Sequence, residues 1–413
     1  MIKALKSLRG NPRACVWTEP IWAIPYNLYV PYVSVYMVAL GLSQIDLGLI
    51  STLGMISQVV FSLLGGVITD KLGRRNTTFI FDLLGWTVPM LLWAFAQNFI
   101  WFALAALFNG VYRITQTSWT CLATEDLESD KLVTMYTFLD IAGLVSGFFA
   151  PITFFILKSN ALIPTVRALY MFSFVTMTAK FFILNKYCTE TRMGVRRMEE
   201  TRGTSMIKEL ADYGKIIKLM LNNKGTLLTI ALWTFTTIAK TAYDTFFPII
   251  ATERIGVADA SLALISTFKL IITLVCQITF VARIKTDKYK LPLTISFFGL
   301  MLARVTLAFL GQGASIGLFI IVALDAVAFA AVTPLQGALQ IMYTDAHERA
   351  RVMSVFQAMI LLVSAPFGAI AGILSQANRS YPLIMCTVAY LCAMAATLLL
   401  SKQKPAEEVQ QEV

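Results

Sequence analysis

Hydrophobic and polar positions in this chain segregate on the scale of whole helices. Long, mostly apolar runs are separated by short polar stretches, and ~20 apolar residues are what an α-helix needs to cross the hydrocarbon core of a bilayer. The pattern predicts twelve spans, at about 14–40, 46–69, 77–97, 99–122, 131–157, 163–187, 226–251, 260–282, 291–311, 314–343, 350–376 and 381–401. The longest interruption, 188–225, is polar and mixed in charge. It divides the chain into an N-terminal half of six spans (1–187), a linker (188–225) and a C-terminal half of six spans with a short tail (226–413). Within the linker, Ile207, Leu210, Tyr213, Ile217 and Met220 recur at helical spacing beside Lys208, Lys215 and Lys218. That spacing predicts an amphipathic helix lying on the membrane surface.

Composition and charge sharpen this picture. Only 14% of the 413 residues are charged and 57% are hydrophobic, whereas a soluble domain carries about 25% charged residues. The net charge of +10 is distributed unevenly between the loops. One set of loops holds Lys3, Lys6, Arg9, Arg13, Lys71, Arg74, Arg75, Lys131, the bases of the linker, Arg283, Lys285, Lys288, Lys290, Arg349, Arg351, Lys402 and Lys404; the other holds only Lys158, Arg167, Arg254 and Arg379. The positive-inside rule then predicts a multi-pass protein of the cell membrane with both termini cytoplasmic. Met1 to Arg13 is expected to be a cytoplasmic tail and not a signal peptide. The basic excess belongs to the membrane, since no aromatic-interleaved basic patch suited to nucleic acid is present. The six cysteines are scattered, so neither a zinc site nor a disulfide framework is expected. One histidine, His347, excludes histidine-based triads and H-E-x-x-H metal sites, and there is no phosphate-binding P-loop. The expectation is a protein that is not an enzyme, with no metal and no cofactor.

Between the second and third spans lies Gly65-Gly66-Val67-Ile68-Thr69-Asp70-Lys71-Leu72-Gly73-Arg74-Arg75. Its spacing, Gly-x-x-x-Asp-Lys-x-Gly-Arg-Arg, resembles the loop signature of the major facilitator superfamily (MFS). The resemblance implies an all-α fold of twelve transmembrane helices in two six-helix bundles, working by alternating access around a site near mid-membrane. It also implies an inner gate built from Gly66, Asp70, Lys71, Gly73, Arg74 and Arg75, with Asp70 meeting the N-terminus of span eleven and the basic residues near it. In that family spans one, four, seven and ten line the cavity. The positions implied here are Glu19, Tyr26, Asn27, Asn109, Tyr112, Arg113, Gln116, Trp233, Lys240, Asp244, Asp325 and Gln336. The two halves look like a diverged repeat: Thr124-Glu125-Asp126 is echoed by Thr344-Asp345, and the loop motif by Arg283-Ile284-Lys285-Thr286-Asp287-Lys288.

Charges inside apolar spans cost a few kcal/mol each unless paired or hydrated, so each is a functional candidate. Arg113 and Asp140 fall at similar depth on consecutive spans and are positioned to pair. Lys240 and Asp244 share one face of span seven, and Lys269, Arg304 and Asp325 add two bases and an acid near mid-depth. Asp82 is expected to serve the Arg74-Arg75 cluster. Span one carries Pro20, Pro25 and Pro31 among Trp22, Tyr26, Asn27 and Tyr29, a broken helix with aromatic faces suited to lining a cavity. Gly143, Gly147 and Pro151 partly resemble the span-five motif of drug–proton antiporters, while Thr189-Glu190-Thr191-Arg192 departs from the sugar-porter signature. The first expectation is a monomeric secondary transporter for a small molecule, exporting an amphipathic or cationic compound against protons. The alternatives are proton-coupled uptake of a small polar solute (sugar-like, nucleoside or organic anion), and a lipid-moving or sensor protein on the same scaffold.

Overall fold

The structure is a computed structural model describing residues 8–127, 129–203, 205, 213–284, 288–343 and 349–400; within these, the side chains of Asp140, Arg349 and Arg351 are among those that lie outside the description. Twelve helical spans are present: 11–39, Gln44–Leu72, Arg74–Ala94, 99–124, 129–159, Leu162–Tyr187, 224–254, Ser261–Thr279, Lys290–Phe309, 315–342, 349–377 and Tyr381–Leu400. Two further helices, Arg192–Glu200 and Tyr213–Asn222, belong to the linker. The second takes up Tyr213, Ile217 and Met220 of the amphipathic pattern; Ile207, Lys208 and Leu210 lie outside the described residues. The first was not anticipated from hydropathy, because three of its nine residues are arginine and two glutamate. It is fixed by its cap instead: the Thr191 side chain accepts from the Gly194 amide.

Among the described residues, nine helices are long and apolar enough to cross a membrane by length and composition. The three spans that fall short are one, four and seven. They carry Glu19 and three prolines, Arg113 between Asn109 and Gln116, and Lys240 with Asp244. A span can afford such residues only on a side that faces protein or water rather than lipid.

The two halves pack alike. Span one lies against five and six, two against four, and three against four and six; in the second half, seven lies against eleven and twelve, eight against ten, and nine against ten and twelve. Each pairing recurs six spans later, so the halves are repeats of one bundle. The same operation exchanges the two seams between halves, span two on eleven and span five on eight. The linker side of the molecule is called the linker face below, and the other the opposite face.

At the opposite face the two–eleven seam is close. A Cβ on Gly48 would stand 2.5 Å from the Gly368 carbonyl oxygen and 2.9 Å from the Gly372 Cα, so the helices touch backbone to backbone. Thr52 donates to the Ala365 carbonyl at 2.8 Å and accepts from the Ala369 amide at 2.9 Å. Span one completes the closure. Its helix runs through Pro20 and Pro25 and yields only at Pro31, where a 3-10 turn, Val30–Tyr32, precedes Val33–Ala39. The turn aims the buried Tyr32 hydroxyl at the Ala260 carbonyl of the second half, 3.1 Å away.

Gly48→Val is therefore expected to lower the melting temperature by the equivalent of about 1–3 kcal/mol of overpacking. Gly54→Ala, whose added Cβ meets nothing nearer than 3.7 Å, serves as the silent control. Equal melting of the two variants in a thermal scan contradicts the close seam.

Candidate substrate cavity

The N-terminal wall of the cavity is aromatic. In span three the α-helix widens into a π-turn over Leu83–Thr87. The reason is local: Gly85 lies so close to span four that a Cβ there would stand 2.8 Å from the Tyr112 nitrogen, and Asn109 donates to the Gly85 carbonyl at 2.9 Å. The extra residue in the turn rotates Trp86 toward span one. Its ring meets Trp22 edge-on at 4.9 Å and Tyr112 at 5.6 Å, while Trp22 and Tyr26 stack at 4.9 Å.

The C-terminal wall is charged. Lys240 and Asp244 form an ion pair along span seven, and their side chains remain 56% and 49% exposed. Lys240 lies within electrostatic reach of Tyr26 and Tyr112 across the cavity. A hydrated pair of this kind is worth about 0–1 kcal/mol, so either partner can be taken by another charge at small cost. Next to it opens a cavity of about 260 Å³ lined by Val30, Pro31, Tyr243, Asp244, Phe247 and Lys269, among others.

Behind this surface lies a buried cluster. Asp325, fully buried, receives Arg304 on one oxygen and Lys269 on the other, each at 2.6 Å. The Arg304 guanidinium lies over the Tyr243 ring, 3.5 Å from its centroid. Arg304 is equally buried, whereas Lys269 is 30% exposed toward the cavity. One acid between two bases leaves a surplus positive charge, and Lys269 presents it.

Arg113 is held by neutral acceptors. It donates to Gln58 from two nitrogens, at 3.0 and 2.8 Å, and to Gln116 at 2.8 Å, and Tyr112 donates to the same Gln58 oxygen at 3.1 Å. Its expected partner Asp140 lies outside the described side chains.

Several expected cavity residues are engaged elsewhere. Gln336, 1% exposed, donates to Thr236 at 2.7 Å and receives Trp233 on its carbonyl at 3.3 Å; both residues fasten span seven to span ten. Asn109 secures the π-turn, and Asn27 donates back to the Ala23 carbonyl of its own helix at 2.7 Å. Glu19 faces Lys180 of span six at 3.9 Å. Asp82 is buried beside Lys180 and Glu19 and shares a small cavity with Arg75; a helical step of eight residues carries it inward from the loop.

The loop motif is anchored chiefly within its own half and to the linker. Gly73 makes the reversal with φ 82°, a left-handed conformation that favours glycine. Asp70 pairs with Arg74 at 3.0 Å and with Arg197 of the first linker helix at 2.8 Å. The hydrogen bond from Arg197 to Asp70 raises the arginine's pKa still further. Arg74 is also held by Glu125, Glu190 accepts from the Arg74 and Arg75 amides, and Arg75 donates to the Asn185 carbonyl. Lys71 lies in the last turn of span two, and Gly66 faces the Tyr213 hydroxyl. The span-eleven counterpart of the gate, with Arg349 and Arg351, lies outside the described side chains. Trp86, Gln58 and Lys180 escaped the sequence reading. Trp86 enters through a π-turn that hydropathy does not reveal; Gln58 and Lys180 were visible as polar residues inside spans two and six.

Twelve spans in two like halves about a charged and aromatic cavity define a membrane transporter for small molecules, not an enzyme. The chain belongs to the Major Facilitator Superfamily, whose family model matches residues 22–324 and 234–413. It is similar to the quinolone resistance protein NorA of Staphylococcus aureus, with 33% identity over 85 residues, which is 21% of this chain and 22% of NorA. The chain thus matches about a fifth of that relative's length. Its fold is shared with the nucleoside transporter NupG (TM-score 0.69, 15% identity, 96% of this chain and 100% of that one). It is shared also with a bacterial homologue of the iron transporter ferroportin in the inward-facing state (TM-score 0.70, 12% identity, 95% and 98%).

Asp325→Asn leaves two buried bases without their acid and is expected to destabilise the protein by about 3–5 kcal/mol. Replacing all three members, Arg304→Met and Lys269→Met with Asp325→Leu, is expected to recover most of that loss. A thermal scan in which the single variant melts like the wild type contradicts the buried cluster.

Proposed function

We propose that the protein is a proton-coupled secondary transporter that exports an amphipathic compound, with the compound's charged group at Lys240 and Asp244 and its apolar body on the aromatic wall. The observation that carries this is the exposed ion pair on span seven; the acid of the neighbouring buried cluster, Asp325, is by contrast held between two bases. Protonation of Asp244 releases Lys240, and a substrate anion on Lys240 releases Asp244; the two events compete for one contact, which couples proton and substrate. Alternating access then requires the seam at the opposite face to open as the linker face closes. The basic loops support assigning the linker face to the cytoplasm, and the local match to NorA supports export.

The sign of the substrate follows from a charge count over the described side chains. Lys240 and Asp244 cancel, while Arg113 and the Lys269–Arg304–Asp325 cluster each leave one positive charge. The surplus favours an organic anion with an aromatic or apolar body. A second reading, a lipophilic cation held by Asp244, is favoured by that residue's exposure next to the Tyr243 and Phe247 rings.

The test is pH-gradient-driven flux in liposomes with a labelled aromatic anion and a labelled lipophilic cation. Loss of one charge-assisted contact is worth about 1.5–3 kcal/mol, or roughly ten- to a hundredfold in affinity. Lys240→Gln is expected to weaken anion transport by that factor. Cation transport abolished by Asp244→Asn but untouched by Lys240→Gln selects the second reading. Flux of neither probe, or flux indifferent to the pH gradient, overturns the proposal.

A further inference from the structure

Span eleven is weakest where span two touches it. Pro366 has no amide to offer the Leu362 carbonyl, and the span is interrupted there, between Arg349–Ser364 and Pro366–Ala377. The next turn is opened as well. In a regular helix the Ala369 amide bonds the Ala365 carbonyl. Here the Thr52 hydroxyl of span two stands between them: it accepts from the Ala369 amide at 2.9 Å and donates to the Ala365 carbonyl at 2.8 Å. That carbonyl also takes the Gly368 amide at 3.2 Å, in a tighter turn. Gly368 makes room for the hydroxyl, since a Cβ there would stand 2.7 Å from Thr52 Oγ1. A side chain inserted into the ladder beside a proline bends a helix, and this one comes from the other half of the molecule.

The insertion gives this turn two ways of being satisfied. With spans two and eleven together, one hydroxyl serves both backbone groups. With the spans apart, the Ala369 amide has lost its acceptor in the hydrocarbon region, where an unmet amide or carbonyl is costly. The Ala365 carbonyl is its ordinary helical acceptor, one turn away, and the ladder can close. Thr52 and the Ala365 carbonyl thus compete for one amide, so the parting of the seam and the closing of the turn are a single exchange.

We propose that Thr52 is a positioning residue that latches the opposite face. Its hydroxyl holds the seam closed and span eleven bent; its withdrawal lets the Ala365–Ala369 turn close and swings Pro366–Ala377 as the face opens. Only hydrogen bonds are exchanged, and no proton is transferred. Gly48 and Gly372 allow the close approach but have no polar side chain to exchange. Gln44, which accepts from the Ser375 hydroxyl at 3.2 Å on the same seam, joins two side chains and enters no ladder. The latch rests on the seam's parting during transport, and not on the identity of the substrate or its coupling.

Paired spin labels, in a chain whose native cysteines are replaced, measure both motions. One pair, Ile45→Cys with Ala377→Cys, sits at exposed positions across the seam. The other, Leu362→Cys with Ala377→Cys, sits on either side of the break in span eleven, about 22 Å apart by helical rise. Thr52→Val keeps the shape and removes the hydroxyl; Thr52→Ser keeps the hydroxyl. With two hydrogen bonds lost from the closed form, Thr52→Val is expected to raise the ratio of parted to closed seam roughly ten- to a hundredfold. The distance along span eleven is expected to change in the same proportion of molecules, and Thr52→Ser to behave as the wild type. A seam that parts equally in wild type and Thr52→Val, or as often in Thr52→Ser as in Thr52→Val, overturns the latch and leaves alternating access standing. So does a seam that parts while the distance along span eleven stays fixed. A seam that parts in no variant overturns the latch together with alternating access. Should Thr52→Val fail to fold, Thr52→Ala decides on the same criteria.

Discussion

A charge in a bilayer must be paired, hydrated or neutralised, and this constraint orders nearly every polar residue within the spans. It sorts them into two populations. Asp325 with Arg304 and Lys269 is sealed and holds spans eight, nine and ten together. Lys240 with Asp244 is open to water and holds nothing that a substrate or proton cannot replace. The first population supports the bundle; the second is the one that the proposed exchange of substrate and proton uses.

The same constraint explains where the backbone departs from regular helix. The π-turn at Leu83–Thr87 and the 3-10 turn at Val30–Tyr32 each disturb the helical hydrogen-bond ladder inside the membrane. Each is compensated by a neighbour: Asn109 binds the Gly85 carbonyl, and Thr153 of span five donates to the Leu28 carbonyl at 3.0 Å. Each irregularity also aims an aromatic ring, Trp86 at the cavity and Tyr32 at the second half. The glycine contacts of spans two and eleven close the opposite face by a different means, with backbone touching backbone and Thr52 hydrogen-bonded across the seam.

The fold was legible in the sequence because hydropathy is a sum over some twenty residues and tolerates local error. The twelve spans followed from it. The site was legible only where chemistry overrides neighbours: Lys240 and Asp244 four residues apart, Arg304 and Asp325 in apolar surroundings. Side-chain direction was not legible. Gln336 and Asn109 are cavity candidates by span and depth, yet each turns to a backbone or hydroxyl group of an adjoining helix. Glu19 and Asp82 show the same limit, since their common partner Lys180 is remote in sequence and passes for an ordinary basic residue near the end of span six. The engagement of Asp70 by Arg197 was not legible either, because three of the nine residues in the helix carrying that arginine are arginine and two are glutamate.

The central claim is that the ion pair of span seven faces water and meets the substrate. The most direct measurement places a single cysteine at that position, Asp244→Cys, in a chain whose six native cysteines are replaced, and follows its reaction with a charged, membrane-impermeant thiol reagent. The account predicts rapid modification, slowed by transported anions, while Asp325→Cys stays unreactive in the folded protein. A cysteine at 244 that resists the reagent as Asp325→Cys does, or one that no solute protects, contradicts it.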